Sequence, residues 1–236
     1  MTNRTIGTSP QVYARFAGLL YLIVIAAGII AQIFISGKIV VSGDAAATAT
    51  NILTHKTLFQ LGFTVYLIEM AAQIAMTVLF YILLKPVSRS ISLLALFFSL
   101  TGCIIKTLSR LFYITPLLVL GGSHYLSAFN IEQLQALALL LLNVNDQAAG
   151  MALSFFGFST LLNGILVFRS TFLPKALGVL SMLGGVGWLI YLYPPLGNQF
   201  LPYILVIALI GSISQILWLL IKGVKVDLWN KLAAAG

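Results

Sequence analysis

Charge is what this sequence has least of. Only 8% of its 236 residues are Asp, Glu, Lys or Arg, against about 25% in soluble domains. Its mean hydropathy is +1.06. So few charges cannot coat a water-facing surface, which excludes a soluble globular domain. Acidic residues are the scarcest charged type, five against thirteen Lys and Arg, for a net charge of +8. That excess does not indicate a nucleic-acid partner. The basic residues stand in ones and twos beside apolar runs, whereas nucleic-acid patches are clustered. The lone cysteine, Cys103, excludes an internal disulfide and a thiolate metal cluster. The two histidines, His55 and His124, fall in polar loops and form no pair with metal-motif spacing. Ser159, in Gly157-Phe158-Ser159-Thr160-Leu161, lacks the second glycine of a nucleophile elbow. No metal, no cofactor and no catalytic residue is therefore assigned.

What the chain does have is long apolar runs. Phe16–Ile35 is uncharged and exceeds the core of a signal peptide, so it reads as a retained first span. A polar loop follows, in which Ser42 or Asp44 is placed to cap a short surface helix over Ala45–Leu53. Leu58–Leu84 is the second span and stops at Lys85-Pro86-Val87-Ser88-Arg89. The third runs from Ile91 to about Leu120. Ile131–Leu142 reads as a helix on the outer surface or across the bundle mouth, with a broken span as the alternative, because Asn143-Val144-Asn145-Asp146-Gln147 interrupts it. Three more spans follow. The expected fold is an all-α polytopic membrane helix bundle forming a single membrane domain over 1–236. It has six transmembrane helices, at about 16–35, 58–84, 91–120, 148–168, 176–193 and 201–221, plus a short outer-surface helix. Residues 232–236 read as an appended tail and are left out of this count.

Orientation follows from the cations. With the N-terminus in the cytoplasm, that side carries Arg4, Arg15, Lys85, Arg89, Arg169, Lys175, Lys222, Lys225 and Lys231, and the other side only Lys38 and Lys56. Nine against two is the bias expected of a multi-pass protein with both termini cytoplasmic.

The remaining two cations, Lys106 and Arg110, lie inside the third span, and Glu69 lies inside the second. Each charge at such depth costs roughly 2.5–3.5 kcal/mol and normally faces a protein interior with a partner. Glu69 lies about 16 Å from the outer end of its span and Arg110 about 15 Å from the outer end of its own, so the two are expected to pair. Lys106 is then expected opposite Gln73. Tyr113 shares the face of Lys106 and Arg110. Glu69, Gln73, Lys106, Arg110 and Tyr113 thus form the candidate ligand-binding set, with two cations against one anion. The alternative is that the third helix ends before Thr115-Pro116 and its cations snorkel to the headgroups.

The chain also resembles a bacterial inner-membrane family catalogued as domain of unknown function 4386. The likeness is carried by Ala14-Arg15-Phe16-Ala17-Gly18 through Tyr21-Leu22, and by Ser42-Gly43-Asp44-Ala45 with Thr48 and Asn51. It continues in Phe155-Phe156-Gly157, and in Arg169-Ser170 followed by Pro174 and Gly178. The resemblance implies a small multi-span protein of the bacterial inner membrane and supplies no activity and no residue roles.

The expected partners are the lipid bilayer and a small anionic molecule or lipid that completes the charge set. Binding or transport of such an anionic or amphipathic molecule is the favoured role. An accessory or scaffold protein, whose polar core fixes helix register, is the first alternative. A lipid-modifying intramembrane enzyme ranks below both, for want of a metal motif or nucleophile.

Overall fold

The computed structural model describes residues 9–235. Among them the chain is all-helical, and six helices are long and apolar enough to cross a membrane. In chain order the helices are α1 (Pro10–Ile39), the short α2 (Ala45–Thr54), α3 (Lys56–Leu84), α4 (Arg89–Val119), α5 (Ile131–Arg169), α6 (Lys175–Leu192), α7 (Pro194–Ile221) and the short α8 (Val226–Ala235).

The helix ends follow from local chemistry. Pro10 opens α1 where a missing N–H costs nothing. Asp44 caps α2 by accepting the Ala47 N–H at 2.8 Å. Gly43, at φ +78°, supplies the left-handed turn before that cap. In α4, Thr115 interrupts the ladder ahead of Pro116, and the helix resumes over Pro116–Val119, so the third span does not end at Tyr113. Within α1, residues Ile30–Ser36 widen into a π-helix.

One expected element is corrected. Ile131–Leu142 is not a separate surface helix. It is the first third of α5, a continuous helix of 39 residues, about 58 Å long at 1.5 Å per residue. Asn143–Gln147 holds no proline or glycine, and the amide of Asn145 bonds laterally to other side chains, so it does not compete with the helix backbone. At the C-terminal end, α8 runs through to Ala235, and Leu232 packs against a hydrophobic core.

The chain divides into two compact units, each assembled from separate stretches. The first takes the described residues of Met1–Leu22, Gln73–Thr101 and Leu153–Gly236. Its core includes Ala14, Phe80, Leu83, Leu166, Phe172 and Leu219. Gln11 ties the start of α1 to the α7–α8 junction, donating to the Lys222 carbonyl and accepting from the Val224 N–H, each at 3.0 Å. Trp229 of α8 donates to the Leu83 carbonyl at 2.9 Å. Glycines bring α5 and α6 into backbone contact: a Cβ on Gly178 would lie 2.6 Å from the Phe168 nitrogen, and one on Gly185 2.6 Å from that of Leu161.

The second unit takes Ile23–Ala72 and Gly102–Ala152. Its core holds Ile35, Ile39, Ile52, Phe59, Tyr66, Tyr113 and Leu142. The loop after α1 is stapled shut. The Thr48 hydroxyl bonds both the N–H and the carbonyl of Val41, and Asn51 donates to the Ile39 carbonyl at 3.1 Å. Asp44, Thr48 and Asn51 are therefore the side chains that lock this loop.

Candidate functional site

The second unit contains a buried ionic cluster built from α1, α3, α4 and α5. Glu69 stands in the interior of α3, 4% exposed, and Arg110 in α4 is 2% exposed. Lys106 lies one turn before Arg110, so both cations share a helix face. Lys106 Nζ donates to Glu69 Oε1 at 2.6 Å, the one ion pair among the described residues. Gly28 of α1 lies beside this carboxylate: a Cβ there would lie 3.4 Å from Glu69 Oε1, an ordinary contact.

Arg110 is arranged differently. Its Nη1 donates to Asn145 Oδ1 at 2.9 Å, and Asn145 Nδ2 passes the link to Asp146 Oδ1 at 2.9 Å. Its guanidinium carbon lies 3.7 Å from the centroid of the Tyr66 ring, a cation–π contact. The Tyr66 hydroxyl donates to Gln32 Oε1 at 2.7 Å, so the ring is held from the π-helical stretch of α1. Tyr113 stacks on Phe59 with ring centroids 4.4 Å apart and meets Tyr66 edge-on at 5.3 Å. Three buried polar atoms of the cluster have no hydrogen-bond partner among the described residues: Glu69 Oε2, Arg110 Nε and the Tyr113 hydroxyl.

Four of the five expected site residues, Glu69, Lys106, Arg110 and Tyr113, fall in this unit. Glu69 pairs with Lys106, however, and Arg110 goes to Asn145, where the sequence reading joins Glu69 to Arg110. The fifth, Gln73, is grouped with the other unit and lines a small cavity there. The burial of Arg110 also sets aside the snorkelling alternative.

Tyr66, Gln32, Asn145 and Asp146 were not among the expected residues. Tyr66 carried a signal, since it lies three residues before Glu69 on the same helix face. Asn145 and Asp146 escape the sequence reading because it takes the polar run Asn143–Gln147 as an interruption of the helix. With Asp146 added, the cluster holds two cations and two carboxylates. Asp146 is exposed and linked to Arg110 through the neutral Asn145 amide, so Arg110 has no directly bonded anion among the described residues.

Lys106 thus meets one oxygen of Glu69, while Glu69 Oε2 and Arg110 Nε keep unmet hydrogen-bonding capacity among the described residues.

A family model described as a domain of unknown function (DUF4386) matches residues 16–223. No curated protein and no solved structure matches the chain. The family match takes in the whole ionic cluster and runs from the first turns of α1 to just beyond α7; the chain belongs to the DUF4386 family.

Proposed function

We propose that this protein resides in the bacterial inner membrane with both termini in the cytoplasm, and that it binds or moves a small anionic or amphipathic molecule at Arg110. The observation that carries the reading is the buried Arg110 Nε, which among the described residues has no hydrogen-bond partner, on a guanidinium that makes no ion pair with any of them. Leaving one buried donor unmet costs about 1–3 kcal/mol, and more when it is charged. A carboxylate or phosphate oxygen at Nε removes that cost, and the planar guanidinium is suited to both. The nine-to-two distribution of loop cations supports the orientation.

The same cluster supports a second reading, a register-fixing polar core in an accessory protein, because Lys106 already supplies Glu69 with a counter-charge from within the chain. Mass spectrometry of organic extracts from the purified protein separates the two. On the binding reading, wild type retains one acidic molecule or lipid in stoichiometric amount and Arg110→Gln does not. Equal amounts of every acidic species in both preparations sink the proposal.

A further inference from the structure

We infer that the first unit contains a second, chemically different site, a cavity that takes a small uncharged hydrogen-bonding solute of the amide or diol class. The cavity measures about 50 Å³ and is lined by Gln73, Thr160, Asn163, Ser181 and Gln215 among others, none of them charged.

The unspent hydrogen-bonding groups define the occupant. Ser181 donates to Gln215 Oε1 at 3.2 Å, which leaves the Gln215 amide hydrogens free to donate. The Asn163 amide nitrogen is turned to Ser159 at 3.5 Å, leaving its oxygen as an acceptor. Gln73 makes no hydrogen bond among the described residues, so its whole carboxamide is available. A lining that offers both donors and acceptors fits a solute that is itself both.

Charge and size narrow the class further. An ion entering this cavity exchanges its hydration for neutral dipoles with no counter-charge, at a cost that the lining does not recover. At about 10–15 Å³ per water in this measure, the space holds about three to five waters, or one solute of about four heavy atoms. This site shares no residue with the Arg110 cluster and does not rest on the function proposed for it.

Acetamide and acetate have the same shape and differ in charge, so they are the probes. Saturation-transfer NMR is recorded with each on the protein in nanodiscs, in an Arg110→Gln background so that acetate has no cation to bind there. Acetamide is expected to receive saturation and acetate not to. Asn163→Leu, which keeps the branched side-chain shape, and Gln73→Leu, one heavy atom shorter, are expected to weaken acetamide binding about threefold or more, the worth of an ordinary hydrogen bond. Thr160→Val replaces either variant should it fail to fold. Acetamide transfer unchanged by every folded variant overturns the inference, and so does acetate transfer that depends on Gln73 or Asn163.

Discussion

Glu69 and Lys106, 2.6 Å apart in a buried setting, each remove the cost of the other's charge. Losing one partner exposes that cost. Lys106→Ala is expected to destabilise the protein by about 3–5 kcal/mol, because Glu69 is left buried and unpaired, whereas Glu69→Gln with Lys106→Ala costs less than the single change. Unfolding midpoints of wild type, both singles and the double in one detergent check this. A double change no better than Lys106→Ala contradicts the pairing. The sequence reading puts Glu69, Lys106 and Arg110 in one buried polar set but gives Glu69 to Arg110, where the structure gives it to Lys106. The reason is geometric: Lys106 and Arg110 lie one turn apart on the same face, about 6 Å along the axis. Matching depths from span ends known to within a few residues cannot resolve one turn.

Helices α5 and α6 of the first unit touch through their backbones, and the touching points are specific. A Cβ on Gly185 would lie 2.6 Å from the Leu161 nitrogen, whereas one on Gly184 finds only the Ala208 Cα at 3.6 Å, an ordinary contact. Gly185→Ala is therefore expected to cost about 1–3 kcal/mol, since backbone must shift to admit it. Gly184→Ala is expected to be neutral or to stabilise slightly, because alanine is the better helix former. Thermal melts of the two neighbours decide it, and equal losses contradict the packing described. Nothing in the run Gly184-Gly185 tells from sequence which of the two adjacent glycines makes the contact. The same limit hid the continuity of α5. Asn and Asp are poor helix residues in isolation, and only the tertiary bonds of Asn145 to Arg110 and Asp146 show that the helix passes through them.

At the scale of the whole molecule, six long apolar runs were enough to give the all-helical class and the six span-length helices, because a bilayer demands length and hydropathy before it demands detail. The two compact units were not legible. Each is assembled from stretches far apart in the chain, with boundaries inside helices, where composition does not change. The proposed orientation is tested by cysteine labelling in a Cys103-replaced background. Residues 88, 171 and 223 are expected to be shielded from an impermeant reagent in intact cells, and residues 46 and 123 to react. Labelling at 88 or 171 reverses the orientation.

The most direct test concerns Arg110, because the presence or absence of an anion there reverses a sign. Melting temperatures of wild type and Arg110→Gln are compared as gently purified, and again after exhaustive delipidation and dialysis into chloride. If Arg110 holds an anion, wild type is the more stable of the two as purified, since the ligand binds only the folded state. After stripping, the order inverts or the difference vanishes, because the unmet buried cation then costs stability that glutamine does not. A wild type that keeps the same advantage before and after stripping would contradict an anion at Arg110.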